Sequence, residues 1–448
     1  MKKFITFSLC LLLCVVTLGL AGCGKSKKET VDTTIATYGN GGTVAMRGDY
    51  VYFVNGYNSY TTLDKENLST KFNVGGLYRA KLNEDGAFDY DENGSVVGAE
   101  KISSHLVGFE STSIYVFGNH VYYATPITEV DKDGNLQTSK LEFRRVAIDG
   151  GKTKQLYQSK SNADDIDYEF YYADGMVYLV VNENGTLYRI KCTGEVSKQK
   201  IDEGITSLVL PRDIDDVFES DGYKNIYYTK TNDDEKIEIY NYNVLASQPQ
   251  YKKSVDYKTC ELVDYKFGHL YYKASKAGEP SYTLYYRVDA TKNAIMNMTS
   301  TEEKITKTEY DAFYLLDNET SGYIAQSSSK TYYIDYMTNE AYPIADSKIE
   351  IMTIRNNYIY FKSGNDIKRI NYYDFKTNGD KTQQSVLTVD GLQVYDYDID
   401  DNNLYVYAKT GSNTYLYSIK VSNVLEGEDF ERNLLGVYNE DDVPEIDE

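Results

Sequence analysis

The stretch Asn225-Ile226-Tyr227-Tyr228-Thr229 decides the fold, because it recurs along the chain. Gly268-His269-Leu270-Tyr271-Tyr272 has the same form, as do Asp49-Tyr50-Val51-Tyr52-Phe53, Asn119-His120-Val121-Tyr122-Tyr123 and Gly175-Met176-Val177-Tyr178-Leu179. Asn357-Tyr358-Ile359-Tyr360-Phe361 and Asn403-Leu404-Tyr405-Val406-Tyr407 continue the series, with a weaker copy at Ser321-Gly322-Tyr323-Ile324-Ala325. Each is a short aliphatic and aromatic run entered from a turn-forming residue, which is how a strand after a tight turn reads. The longest step, Val51 to Val121, is 70 residues and the shortest, Tyr323 to Ile359, is 36. The mean of about 50 is the length of a four-stranded propeller blade.

The flanks of each copy support that reading. Upstream lies another alternating run, such as Ser113-Ile114-Tyr115-Val116-Phe117 before Gly118-Asn119, so the two make a hairpin. Downstream comes a third strand closed by a turn: Leu77-Tyr78-Arg79-Ala80 before Asp85-Gly86, or Phe143-Arg144-Arg145-Val146 before Asp149-Gly150. Several copies add a fourth, as in Thr153-Lys154-Gln155-Leu156-Tyr157. No stretch keeps a 3.6-residue period over helical length. The chain is therefore expected to be all-β, a β-propeller of eight four-stranded blades, with seven as the alternative because the Tyr323 copy is degenerate. The long first step predicts that blade one is enlarged by the loop over 89–100.

Strand two and strand three carry a likeness. Ile226-Tyr227-Tyr228-Thr229 and Leu187-Tyr188-Arg189-Ile190 resemble the repeats in bacterial relatives of the YWTD propellers of low-density-lipoprotein receptors, a group without an assigned function. The resemblance spans most of 34–438 and implies architecture only. The chain departs from it by having no tryptophan, which removes the Tyr-Trp-Thr-Asp tetrad itself.

The N-terminus reads as an export signal. Lys2 and Lys3 precede an apolar run that stops at Leu20-Ala21-Gly22-Cys23, a tetrapeptide similar to the lipobox of bacterial lipoproteins. This predicts a signal peptide over 1–22, a lipidated Cys23 with a short linker over 23–33, the propeller over 34–439 and a disordered acidic tail over 440–448. Two acyl chains on Cys23 would anchor the protein stably to the extracytoplasmic face of its membrane. Of five cysteines, Cys10 and Cys14 leave with the leader. With Cys23 taken by lipid, the remaining Cys192 and Cys260 are too few for a disulfide framework or a thiolate zinc site.

The formal net charge is −21. A surface so acidic argues against nucleic acid as a partner and against adhesion of the folded domain to anionic lipid. Only three histidines occur, and His120 and His269 fill one repeat slot, so they read as repeat residues rather than catalytic bases. No nucleophile elbow, zinc helix or phosphate loop is present. The acidic stretch Asp89-Tyr90-Asp91-Glu92-Asn93-Gly94, with Glu100 at position twelve, has the spacing of an oxygen-ligand calcium loop. Asp89, Asp91, Asn93 and Glu100 are thus candidate Ca2+ ligands, and no other cofactor is indicated. The competing reading is a hairpin loop whose Asp, Asn and Gly supply turn chemistry alone.

Tyrosine is the unusual resource, at 47 residues against 15 phenylalanines. Most must fill the space between blades. Some accompany acids where blades begin, near the expected central channel. Tyr168, Tyr265, Asp311 and Tyr397 are therefore candidates for an aromatic, acidic channel mouth. The functional expectation is a membrane-anchored binding or scaffolding module for protein, peptide or cell-wall glycan, more a binder than an enzyme. A polysaccharide-acting hydrolase or lyase on the same scaffold is the alternative, and an accessory protein of an envelope complex is a third class.

Overall fold

The computed structural model describes residues 29–55, 60–61, 73–84, 86–92, 95–108, 114–130, 136–212, 224–278, 283–318, 321–410, 413–424 and 427–436. The leader with Cys23, Asn93 of the acidic loop and the tail 440–448 lie outside them. Each of the eight anchor residues falls on the second strand of a four-stranded antiparallel blade, the Tyr323 copy included, and the first blade carries a fifth short strand, Thr37–Tyr38, paired to Val44–Arg47. The sheets span 44–101, 115–158, 166–203, 205–255, 257–304, 312–345, 350–388 and 393–434, and they are blades 1 to 8 of an eight-bladed β-propeller.

Successive side chains on a strand face opposite ways, so a Tyr-Tyr doublet sends one ring to each neighbouring blade. Tyr228 enters the seam between blades 3 and 4, and Tyr227 the seam between blades 4 and 5. Tyr272 and Tyr271 divide in the same way between the seams on either side of blade 5. A second strand buried on both faces cannot alternate with polar residues, which is why the repeats read as continuous apolar and aromatic runs. All eight seams hold such a cluster, including the closing one, where Tyr405, Tyr407, Leu416 and Leu435 of the last blade meet Val44, Val51 and Phe53 of the first. The ring closes by this packing, and every blade is built from one contiguous stretch of chain.

The arginines of the third strands tie neighbouring blades. Arg79, Arg145, Arg287 and Arg369 sit opposite Tyr52, Tyr122, Tyr271 and Tyr360, one slot repeated in four blades. Arg79 donates to the Ile148 carbonyl of blade 2, and Arg287 to the Tyr336 hydroxyl of blade 6. Arg369 donates to the Val421 and Val424 carbonyls of blade 8. Arg189, two residues along in blade 3, reaches the Val244 and Ala246 carbonyls of blade 4.

Blade 1 is enlarged at two connections rather than one. Besides 82–99, the connection between its second and third strands carries Tyr60–Thr61 and Asn73–Gly75, which pair with each other and with Val107–Gly108 in a small extra sheet. Among the described residues the α-helices are short and lie in connections, Lys292–Met296, Met298–Thr301 and Tyr372–Asn378. No helix among the described residues is long and apolar enough to cross a membrane.

Candidate functional site

The first strands of successive blades converge on a central channel, and the N-terminal segment enters it. Glu29 starts the path: its carboxylate accepts two hydrogen bonds from Arg145 at 2.6 and 3.1 Å and one from the Gly194 backbone at 2.8 Å. The ion pair, chiefly through its hydrogen bonds, holds Glu29 below its usual carboxylate range. The Val31 amide then bonds the Gly175 carbonyl in the first turn of blade 3. Asn40 clasps Val116, its side chain donating to the carbonyl at 3.0 Å and accepting from the amide at 2.8 Å. Gly41 and Gly42 exchange backbone hydrogen bonds with Ile114, so this strap occupies the inner edge of blade 2.

The strap needs glycine where it meets the channel charges. A Cβ on Gly41, which holds φ at +89°, would lie 2.5 Å from Arg212 Nε, and one on Gly42 would lie 1.8 Å from Asp398 Oδ2. Asp398, on the first strand of blade 8, accepts from the Val44 amide at 3.3 Å. Burial pushes its carboxyl up to about 7, against the pull of the backbone donors and of Arg212. Arg212 Nε donates to Glu169 Oε2 of blade 3 at 3.0 Å. Burial raises Glu169, and Arg212 only partly offsets it. Burial opposes the charge on Arg212 too, but Glu169, Tyr115 and Asp398 together outweigh it, so the guanidinium stays charged. Carboxylates from blades 3 and 8, an arginine from blade 4 and the strap thus meet within the channel.

Beside this network is a cavity of about 380 Å³ lined by Tyr115, Ile166, Asp167, Tyr168, Glu169, Leu208, Leu210 and Arg212. Ile166 to Glu169 open the first strand of blade 3, at the end away from its turn at Asp174-Gly175. Arg212 borders the cavity and keeps 42% of its side-chain surface accessible to water. Glu169 is 4% exposed. Tyr168 is fixed edge-on against Phe143, with ring centres 4.8 Å apart, and against Phe170. The volume falls in the range of small-ligand pockets, roughly 300–1,000 Å³.

Of the residues singled out from sequence, Tyr168 lines this cavity. Tyr265 stacks on Tyr227 at 5.5 Å in the seam between blades 4 and 5. Tyr397 is on the first strand of blade 8 and 38% exposed, and Asp311 immediately precedes the first strand of blade 6, facing Lys348 at 4.0 Å. All four stand at the start of a blade or on its first strand, and they form no single cluster. Arg212 and the Asn40-Gly41-Gly42 strap were not singled out. The glycine pair was the available signal.

The acidic loop spends its carboxylates locally. Glu100 forms an ion pair with Arg79 at 2.7 Å, Asp89 accepts from Asn83 and Asp91 from the Ser95 amide. Among the described residues no group of three or more His, Cys, Asp or Glu is placed to hold a metal. Cys192 and Cys260 are free thiols, both pushed up to about 12 by burial.

Strand order, seams and channel define an eight-bladed β-propeller threaded by its own N-terminal segment. No protein-family model matches the chain, and no curated protein matches it in sequence. Among solved structures it is similar to the β-propeller domain of the Trilobed protease from Pyrococcus furiosus, at 14% identity and TM-score 0.42, covering 72% of this chain and 96% of that one. It is also similar to an oligogalacturonate lyase in complex with manganese, at 10% identity and TM-score 0.39, covering 83% and 98%. Puromycin hydrolase matches at 8% identity and TM-score 0.45, covering 68% of this chain and about half, 51%, of that chain.

Proposed function

We propose that this propeller is an exported lipoprotein, anchored through Cys23 to the outer face of the cytoplasmic membrane, that serves as a binding or scaffolding module for protein, peptide or cell-wall glycan. The observation that carries the binding role is the cavity at the start of blade 3, where fixed aromatic walls and a charged Arg212 open to water. The apolar run ending in Leu20-Ala21-Gly22-Cys23 supports the anchoring. The recurring third-strand arginine supports the finer likeness to YWTD-type repeats.

Labelling with a palmitate analogue tests the anchor: Cys23→Ala should abolish label and move the protein out of the membrane fraction. Label retained by that variant would overturn the lipoprotein reading. The rival, a polysaccharide-acting enzyme, draws its support from Glu169, an acid raised by burial at a cavity wall. Shortening of oligosaccharides by the wild type and not by Glu169→Gln would favour that rival.

A further inference from the structure

We infer that the cavity bordered by Tyr168 and Arg212 receives a neutral sugar unit of a glycan. This rests on the binding role proposed above and narrows its ligand.

The cavity offers the two kinds of surface a pyranose ring presents. Tyr168, with Ile166, Leu208 and Leu210, forms a half-buried aromatic and apolar wall against which the C–H face of a ring can stack, backed by the buried Tyr115. Arg212 uses Nε for Glu169, and its two terminal nitrogens have no hydrogen-bond partner among the described residues. They are planar donors held in place by the ion pair. Asp167, exposed at the rim, accepts one hydrogen bond, from Asn182 at 3.1 Å, and keeps acceptor capacity for a hydroxyl. Donors and acceptors side by side match vicinal hydroxyls, which give and accept at once.

Charge disfavours a polyanionic ligand. The Arg212–Glu169 pair cancels its own charge, so the donors carry little net field, and a protein of net charge −21 repels a polyanion. An extended peptide would need a strand edge, and one of those beside the cavity, the inner edge of blade 2, is already paired with Gly41 and Gly42. A neutral polar ring suits this pairing of apolar wall, donors and acceptor.

The test is calorimetric titration of the full processed chain with neutral tetrasaccharides of glucose and N-acetylglucosamine, with tetragalacturonate and with a lysine-rich peptide. Neutral oligosaccharides should bind. Asp167→Asn and Arg212→Lys should each weaken them at least tenfold, whereas Tyr168→Phe should keep affinity within about threefold. Asp167 is exposed, so its variant reports binding apart from folding, and a melting curve checks Arg212→Lys. Binding of tetragalacturonate or peptide alone would overturn the sugar assignment while leaving a binding module. Sugar binding indifferent to Asp167 and Arg212 would overturn the site. If no probe binds, the ligand inference fails, and the Cys23 labelling result stands or falls separately.

Discussion

Two seams of the ring use the same arginine slot in different ways. Between blades 7 and 8, Arg369 is 1% exposed, donates to two carbonyls of the next blade and lies against the rings of Tyr358 and Phe430 at 3.9 and 4.6 Å. Between blades 2 and 3, Arg145 meets Glu29 instead, and Glu29 in turn takes the Gly194 amide of blade 3. One seam is complete within the repeats. The other borrows its linker from outside them, so the contact that closes it also fastens the N-terminal strap.

The sharpest way to break the comparison is to remove each arginine. Arg369→Ala orphans two carbonyls and leaves a void between two rings, for an expected loss of about 3 kcal/mol by scanning calorimetry. Arg145→Ala frees a carboxylate that is one-third exposed and can hydrate, so about 1–2 kcal/mol is expected. Equal losses would mean that the two seams are energetically alike.

Hydrogen exchange sharpens it further. Glu29→Gln should speed exchange at the Val31, Gly41 and Gly194 amides, which the strap holds, whereas Arg369→Ala should leave them protected. Strap protection unaffected by Glu29→Gln would separate strap from seam.

The two ends of the strap should also respond oppositely to pH. Asp398 is raised from 3.8 to about 7, so between those values the folded state binds more protons than the unfolded state, and stability falls as pH rises. Asp398→Asn should remove that slope, at most about 4 kcal/mol across the interval. Glu29 is lowered, so its contribution is present above its ordinary value of 4.5 and disappears as the pH falls through the lowered one. Melting temperatures from pH 4 to 8 that are the same for wild type and Asp398→Asn would show that Asp398 does not titrate there.

The blades were legible because their signal is local. A second strand buried on both faces must be apolar and aromatic throughout, and a turn residue must precede it, so Ile226-Tyr227-Tyr228 declares itself within five residues. Even the weak copy at Tyr323 proved a full blade of four strands. The channel was legible only in part. Asp167-Tyr168-Glu169 and Asp398 could be placed near blade starts, but their partners are far along the chain. Asp398 meets Val44 across 354 residues, and Glu169 meets Arg212 of the next blade, in the connection after its first strand, where no repeat pattern marks the position. The linker expected over 23–33 is bonded to the ring from Glu29 onward. A lone acid before the first repeat carries no sign that an arginine 116 residues later will claim it.

That ion pair also sets a mechanical limit. If Cys23 carries the lipid, the residues between it and Glu29 can separate bilayer and ring by at most about 20 Å. It leaves from the side of the ring that bears the Gly175 and Gly194 turns. The cavity wall at Ile166 to Tyr168 is at the other end of its strand. A propeller moored so closely would ride with those turns toward the lipid and its cavity turned toward whatever passes outside.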